Sequence, residues 1–386
     1  MISLASFRKR KLIAMRKNSS LLLTLILLGS LMALLPTIAH ADAATATNEQ
    51  WIKYPGNPVL GPTQGNWDAD YVVSPRVLGD GTIFRMWYNG GNTITGANGI
   101  GYATSTDGVT WMKYGSPVLT PGPTGAWDSA EVELGSVIWN GTLFLMWYRG
   151  SNAISLNTGA VGLATSTNGT SWIKYSRNPI LTPGQFGLEQ EYLATPYSIS
   201  PSPRSFDMWY SEENWTKSKI SSTSRLLYAT SLDGTSWNKW PDAVLSPSAD
   251  PNAWDSGSIY SPSVIYDNST FELWYSGINQ SYLKPQIGFA TSNDGVKWIR
   301  DPYNPILTPG TSESWDSAGV EQPNVIQYGG SYVLYYDGFG KDSGGKIGLA
   351  RSPPALALPE FPISAINLAL GIITSSALIF IRNRKT

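Results

Sequence analysis

The amino-acid sequence predicts an all-β fold, a five-bladed β-propeller whose N-terminal strand closes the last blade. Two observations lead to this prediction. A unit of four short strand-like runs recurs five times along the chain, and the last copy lacks the run with which the repeated region begins. Four-stranded units that repeat at about 40 to 60 residues are typical of propeller blades.

The repeat is marked by tryptophans that follow Asp-Gly or Asn-Gly turns and by aromatic pairs in the middle of each unit. Trp51 opens the series, and its later members are Trp111, Trp172, Trp237 and Trp298. The aromatic pairs stand in "RMWYNG", "LMWYRG", "DMWYSE", "LWYSG" and "LYYDG". Because Gly, Pro, Asn and Asp residues separate the short runs, each unit is expected to be a meander of four strands.

The two ends of the repeated region complement each other. The fifth unit ends at "KIGLARSPP" after its third strand, and the missing outer strand stands at residues 51–60 as "WIKYPGNPVL". Closing the ring removes exposed sheet edges, whereas the alternative, an open solenoid, would need capping repeats. No helix is expected between residues 51 and 352. The blades are expected at residues 61–111, 112–172, 173–237, 238–298 and 299–352, with 51–60 as the closing strand.

Both ends of the chain carry apolar segments beside basic residues. Residues 1–41 have the basic start, apolar run and small-residue end of a secretory signal peptide, with an uncleaved membrane anchor as the alternative. Residues 361–381 carry no charge, suffice to span a bilayer, and precede a basic tip at 382–386 that should stay cytoplasmic. Linkers are expected at 42–50 and 353–360. The propeller is therefore expected to be exported and anchored to the membrane at the cell surface by its C-terminal segment.

Composition excludes several classes of function. Between residues 42 and 358 the chain has 18 Lys and Arg against 27 Asp and Glu, so nucleic acid is not an expected partner. The chain has no cysteine, and its single histidine, His40, lies in the predicted signal. Histidine-dependent nucleophiles and histidine-ligated zinc are thus excluded from the mature protein, and any catalysis must use other side chains.

Comparison of the five units separates scaffold positions from candidate site positions. An acid follows the marker of the "WD" element in every unit, and we interpret these acids as structural, bonded to turns. They are Asp68, Asp128, Glu189, Asp255 and Asp316. Four positions later the residue is always apolar and is expected to pack between blades. These residues are Val72, Val132, Leu193, Ile259 and Val320.

Around these apolar positions the inner strands diverge, and the divergent residues are the candidate site. They are Asp70, Glu131, Glu133, Glu191, Tyr260 and Glu321. Carboxylates beside a propeller channel need either partners or a function, and a solvated or salt-bridged rim acid is the alternative for each. Arg149 also departs from its repeat. It is expected either to bind a carboxylated sugar or to balance Glu131 or Glu133.

The "SxDGxxW" and "MWYxG" units, the split closure and the inner-strand acids resemble the five-bladed superfamily of arabinanases, β-xylosidases, invertases and levansucrases. That superfamily includes glycosidase-like proteins related to mannoside phosphorylases. The resemblance covers nearly all of residues 51–352 and implies catalysis by inner-strand acids of the first three blades. The matching positions are Asp70, Glu133 or Glu131, and Glu191. The family's Asp-Pro and Glu-Gly-Pro contexts are missing, and "VEQP" at Glu321 is similar to the latter in a different blade.

Two further resemblances concern short motifs. Ser105 to Trp111 resembles the Asp-box turns of sialidase propellers, shortened by one residue, and is expected to join the third strand of a blade to its fourth. Pro359-Glu360-Phe361-Pro362 resembles the PEF-type C-terminal sorting signals of archaeal surface proteins. That likeness implies that the tail is cut and replaced by a lipid anchor; otherwise it stays a transmembrane helix.

The function expected from these features is that of a cell-surface glycoside hydrolase-like protein, with carbohydrate as its partner. In an inverting scheme Asp70 would activate water, Glu191 would protonate the leaving oxygen, and Glu133 would orient the substrate or raise the pKa of the acid. Substrate binding is assigned to Glu131, Arg149, Tyr260 and Glu321. The alternative is a non-catalytic propeller that binds glycans or surface proteins. A monomer without cofactor or metal is expected; calcium is conceivable in the channel, but no loop spacing supports it.

Overall fold

The computed structural model describes residues 51–152, 159–184, 191–202, 205–215, 222–267, 269–340 and 344–352. The predicted signal peptide, both linkers, the C-terminal apolar segment and the basic tip lie outside these residues. In the part of the chain that is described, no helix is long and apolar enough to cross a membrane.

The described residues form five antiparallel sheets of four strands each, as the repeat predicts. The inner strands are β2 (Tyr71–Gly79), β6 (Glu131–Trp139), β10 (Glu191–Ser202), β14 (Ser258–Asp267) and β18 (Gly319–Tyr328). The second strands are β3 (Phe84–Asn92), β7 (Phe144–Ser151), β11 (Ser205–Trp215), β15 (Thr270–Ile278) and β19 (Ser331–Phe339). The third strands are β4 (Ala97–Ser105), β8 (Ala160–Ser166), β12 (Ser222–Ser231), β16 (Gln286–Ser292) and β20 (Lys346–Arg351). The outer strands are β5 (Met112–Lys113), β9 (Ile173–Lys174), β13 (Asn238–Lys239), β17 (Ile299–Arg300) and, for blade 5, β1 (Ile52–Lys53).

The N-terminal strand closes the ring as the sequence predicts. β1 pairs with β20 in antiparallel register, with Ile52 opposite Arg351. The outer strand of each blade directly follows the marker tryptophan, so that β5 is hydrogen-bonded to β4. The boundary between blades 1 and 2 therefore lies after Lys113, a little beyond the expected residue 111, and the later boundaries move in the same way.

The core of the propeller lies between neighbouring blades. The apolar residue three positions before each inner-strand proline, or before Gly135 in blade 2, is at most 3% exposed, which confirms its predicted place in the packing. The tryptophans of the aromatic pairs are also buried and lie in the same clusters. They are Trp87, Trp147, Trp209 and Trp274. Burial of these large side chains stabilises the ring at each blade interface.

The repeated "SxDG" turns join third and outer strands, as predicted, and they also connect adjacent blades. Within the first turn, Asp107 Oδ1 accepts hydrogen bonds from the N–H groups of Val109 and Thr110. In the next copy of the turn, the carbonyl of Gly169 accepts a 2.8 Å hydrogen bond from the indole N–H of Trp87 in the preceding blade. Gly234 and Gly295 repeat this contact with Trp147 and Trp209. The recurring motif is therefore part of the contact between neighbouring blades.

The acids of the "WD" element are structural, but their partners are not those that the sequence suggested. Asp68 is fully buried and accepts hydrogen bonds from Lys113 Nζ at 2.5 Å and from the Tyr88 hydroxyl at 3.2 Å. Asp128, Asp255 and Asp316 repeat this arrangement, each with an outer-strand cation and a second-strand tyrosine. The hydrogen bonds of these acids are therefore mainly to side chains of their own blade and not to a turn. Glu189 lies outside the described residues.

Candidate functional site

A β-bulge in every inner strand determines which side chains reach the channel mouth. The pairing of inner and second strands shifts register just before the proline or, in blade 2, at Gly135. In four blades the residue before the proline has a left-handed backbone. These residues are Ser74 (φ 57°), Thr195 (φ 43°), Ser261 (φ 50°) and Gln322 (φ 54°). Bulges with such strain commonly aim side chains at functional sites.

The bulge also directs a backbone N–H towards the preceding blade. Leu134 N donates to Asn89 Oδ1 at 2.8 Å, and Ser74 N donates to both carboxylate oxygens of Asp337 at 2.8 and 2.9 Å. Ser211 and Ser276 accept the same bond from blades 4 and 5. The acceptor is always the residue after the aromatic pair, so these bonds form a ring around the channel.

Arg149 occupies the acceptor position of this ring in blade 2. A guanidinium group has no acceptor atom, so Arg149 cannot take the structural role of its counterparts. It is 4% exposed, and its Nη1 lies 2.7 Å from Glu133 Oε2 and 3.1 Å from Glu131 Oε2. Glu133 lies directly opposite Arg149 in the sheet, and Glu131 lies on the same face of β6. Of the two roles expected for Arg149, the structure shows the charge balance, and it involves both acids.

The paired acids line a pocket of about 160 Å³ between blades 1 and 2. Their side chains are 38% and 35% exposed, whereas the arginine beneath them is buried. Tyr71, Asn89, Asn98 and Gln322 also line the pocket. The buried amide oxygens of Asn98 and Gln322 have no hydrogen-bond partner, although such groups are rarely left unpaired in folded proteins. The described lining therefore combines two part-exposed carboxylates with two buried amide oxygens that lack a hydrogen-bond donor.

The surroundings in this pocket raise the pKa values of Glu131 and Tyr71. Burial raises the pKa of Glu131, and the neighbouring charge of Glu133 raises it further, against the opposing effect of Arg149. Burial, with the charges of Glu131, Glu133 and Asp70, raises the pKa of Tyr71 to about 12. The tyrosine hydroxyl thus stays protonated at neutral pH and can donate a hydrogen bond.

Asp70 lies one residue before β2, at the same end of the inner strands. Its carboxylate accepts hydrogen bonds from the backbone N–H of Thr93, at 2.5 Å, and from the Thr93 hydroxyl in the β3–β4 turn. These bonds lower the pKa of Asp70, so the group is ionised at neutral pH. Asp70 is not among the residues that line the pocket.

Glu191 begins β10 and pairs with Asn214, but its side chain lies outside what the structure describes. Asp70 and Glu191 occupy the same position relative to the inner-strand proline, five residues before it. Their assignment as a catalytic pair, and the convergence of Asp70, Glu133 and Glu191 at one mouth, stay predictions.

Tyr260 and Glu321 form a second polar group, between blades 4 and 5. The Tyr260 hydroxyl donates a 2.5 Å hydrogen bond to Glu321 Oε2. Burial raises the pKa of Glu321 and raises that of the neighbouring Asp337 well above its ordinary value. Asp337 was visible in the repeat as the counterpart of Arg149, but only the structure shows that it is buried against Ser74 and acts as an acceptor for the next blade.

The raised pKa of Glu321 predicts a pH effect on stability. Because the pKa of Glu321 is higher in the folded state than in the unfolded state, protonation of this carboxyl favours folding. This contribution to stability is fully present below the unfolded pKa and is lost as pH rises through the folded pKa. Glu321→Gln keeps an acceptor for Tyr260 and removes this titration. We expect equal thermal unfolding midpoints for variant and wild type near pH 4 and a higher midpoint for the variant near pH 7.5. A variant that loses as much stability as the wild type over this range would contradict the expectation.

Among the described residues, no group of three or more His, Cys, Asp or Glu side chains is arranged to hold a metal ion. Sequence reasoning missed Tyr71, Asn98 and Gln322 as pocket residues. Tyr71 and Gln322 stand at inner-strand positions that vary among the five units, so the repeat comparison could have selected them.

No protein-family model matches the chain. An uncharacterized protein of Mycobacterium tuberculosis is 27% identical over 271 residues, covering 68% of this chain and 86% of that protein. A 1,2-β-oligomannan phosphorylase of a Thermoanaerobacter species is 32% identical over 103 residues, which cover 25% of this chain and 33% of that enzyme.

Solved structures give a wider match. One comes from the GH130 family of mannoside phosphorylases, which contains glycoside hydrolases that target β-1,2-mannosidic linkages in Candida mannan. It has a TM-score of 0.61 at 21% identity. The aligned region covers 82% of this chain and 98% of the solved chain. A glycosyl hydrolase from Bacteroides ovatus has a TM-score of 0.61 at 19% identity, covering 80% and 95% of the two chains. The chain therefore has a five-bladed propeller fold similar to that of these solved structures.

Proposed function

We propose that the protein is a cell-surface glycoside hydrolase or glycoside phosphorylase that acts on extracellular glycans or oligosaccharides at the pocket between blades 1 and 2. One observation carries the proposal: the described lining combines the carboxylates of Glu131 and Glu133 with the unpartnered amide oxygens of Asn98 and Gln322. Sugars present many hydroxyl donors, and such buried acceptors reject ligands that lack them.

The roles within this proposal follow from charge and position. Glu131 and Glu133 both contact one Arg149 nitrogen, so we assign them to substrate binding and orientation and not to opposite sides of a glycosidic bond. Asp70 is ionised at neutral pH, so we assign to it the role of the base that activates water. Glu191 is the proposed acid. The relatives' activities make β-1,2-mannosides the first substrates to test.

A non-catalytic propeller that binds glycans or surface proteins is the second candidate. The position of Asp70 favours it, because the carboxylate is bonded to Thr93 and does not line the pocket. In either case we place the propeller outside the cell as a monomer, tethered through residues 361–381.

Turnover and binding measured together separate these candidates. Full-length protein in detergent would be screened on manno-, arabino-, xylo- and fructo-oligosaccharides, with and without inorganic phosphate, and binding would be followed by calorimetry. We expect Asp70→Asn and Glu191→Gln to lower turnover by about 100-fold or more while sugar binding persists. The matched control is Asp242→Asn, an exposed acid distant from the inner strands in sequence.

Each other outcome has a definite meaning. Unchanged turnover in both acid variants would refute the assigned catalytic pair. Binding that depends on Glu133, without turnover of any sugar, would establish the second candidate. If neither binding nor turnover is found for any of these sugars, the glycan pocket is wrong.

A further inference from the structure

A second cavity, of about 190 Å³, lies in the central channel beyond the inner-strand prolines. Residues of four inner strands line it, from blades 1, 2, 3 and 5, and no lining residue is shared with the pocket described above. Most of the wall is aliphatic. The aliphatic members are Val77, Leu78, Val137, Ile138, Ile199, Val325 and Ile326.

Arg76 is the charged residue of this wall, and it replaces a structural acceptor. It follows the proline of β2, where blades 2, 4 and 5 have Ser136, Ser263 and Asn324. Each of those three accepts a backbone hydrogen bond from the next blade. Arg76 cannot accept one, because its guanidinium carries only donors.

The guanidinium of Arg76 reaches across the channel. Its Nε donates to the carbonyl of Gly135 in blade 2, and its Nη1 donates to the carbonyl of Pro75 at 2.7 Å. Its central carbon lies 5.5 Å from the ring centre of Tyr197 in blade 3. Gly135 stands where other blades have proline, and a side chain there would collide with Pro196 and with the carbonyl of Trp147. These contacts fix the arginine in one orientation.

Two donors in this cavity have no partner. Arg76 is 2% exposed and its Nη2 makes no hydrogen bond, and the hydroxyl of Ser198, which is 1% exposed, is also unpaired. A buried donor left unpaired destabilises the folded state, and does so more strongly when it is charged. This cavity therefore has too few hydrogen-bond acceptors, whereas the pocket between blades 1 and 2, at the other end of the inner strands, has too few hydrogen-bond donors.

The charge of Arg76 is only partly balanced. Burial lowers its pKa to about 10, so the side chain is still a cation at neutral pH. Asp337 attracts it, but burial raises the pKa of Asp337, and both of its oxygens accept hydrogen bonds from Ser74. A buried cation of this kind is stabilised by an anion that fits beside it.

We propose that the channel cavity binds one halide ion on Arg76 Nη2, with the Ser198 hydroxyl as a second donor. Because Nε and Nη1 each already donate to a carbonyl, each two-nitrogen edge that suits carboxylate or phosphate has at most one nitrogen without a partner. A monatomic anion needs no such edge. The aliphatic wall disfavours the several further hydrogen bonds that a phosphate group would require.

Bromide is the probe for this site, since it can be located by anomalous scattering. Crystals of the protein grown without halide and soaked in sodium bromide are expected to show a bromide peak within hydrogen-bond distance of Arg76 Nη2. In solution, replacing sodium gluconate by sodium bromide at constant ionic strength is expected to raise the unfolding midpoint of the wild type in a saturable way. Acetate and phosphate salts are expected to give no such rise.

Ser198→Ala is the decisive variant, because the hydroxyl it removes has no bond within the protein and the fold should persist. We expect it to shift half-saturation to a several-fold higher bromide concentration. Arg76→Met should abolish the response, and Arg85→Gln, which alters an arginine bonded to Asp80 on the surface, should leave it unchanged. A water molecule at Nη2 without a bromide peak, a midpoint that ignores halide, or equal responses of wild type and Ser198→Ala would each overturn the proposal.

Discussion

Replacing Trp51 by alanine is expected to lower the free energy of unfolding by about 3–5 kcal/mol, as for other buried tryptophans. Trp51 is 9% exposed and packs edge-on against Trp274, with ring centres 6.4 Å apart. It is the counterpart at the blade 4–blade 5 interface of Trp172, Trp237 and Trp298, which pack edge-on against the tryptophan of their preceding blade in the same way. Chemical denaturation followed by tryptophan fluorescence and by circular dichroism would measure the change.

The matched control is the next residue on the same strand. Ile52 is 63% exposed, so Ile52→Ala removes a similar apolar side chain without disturbing the interface. Its effect should lie within about 0.5 kcal/mol of zero. Equal losses for the two variants would show that β1 acts only through its backbone pairing with β20.

Arg149→Met is expected to cost about 2–3 kcal/mol near pH 7, less than a fully buried ion pair because both acids are over one-third exposed. Removing the guanidinium leaves Glu131 and Glu133 facing each other without a cation. The pKa of Glu131, already raised by burial and by Glu133, then rises further. Since a carboxyl with a raised folded pKa favours the folded state only below that pKa, the loss should be small near pH 4 and grow towards pH 7.

A double variant tests the cause. Glu133→Gln added to Arg149→Met removes the repulsion between the two acids, so much of the lost stability near pH 7 should return. Arg85→Met, which breaks an exposed pair with Asp80, provides the control and should cost about 1 kcal/mol or less. If the loss in Arg149→Met were the same at pH 4 and pH 7, packing and not charge would explain the role of the arginine.

The fold was predictable because each level of the sequence repeats. Trp111 and its counterparts, the aromatic pairs and the split last unit all indicate the same five blades, and one strand at residues 51–60 determines how the ring closes. Strand boundaries were less accessible. The outer strands are only two residues long, and their membership in the preceding blade follows from pairing, such as that of Met112 with Thr104.

The site was predictable only in part. The repeat comparison selected Arg149, Glu131 and Glu133, and the alternation of side chains along β6 places the two acids on one face. It could not show that Asp70 bonds to Thr93, because Asp70 precedes the strand and its orientation depends on a turn in the same blade. Arg76 escaped notice for another reason: its contacts with Gly135 and Tyr197 cross from blade to blade, and no spacing along the chain encodes them.

Closure by the first strand also sets the timing of folding during synthesis. The ribosome makes β1 first and its partner β20 about 300 residues later. At roughly 5 to 20 residues per second, β1 remains without its partner for about 15 to 60 seconds. Throughout that interval the nascent chain carries an unpaired strand at one end and a growing series of blades behind it. The ring can therefore close only after β20 has been made, and an open series of blades precedes the closed ring in folding.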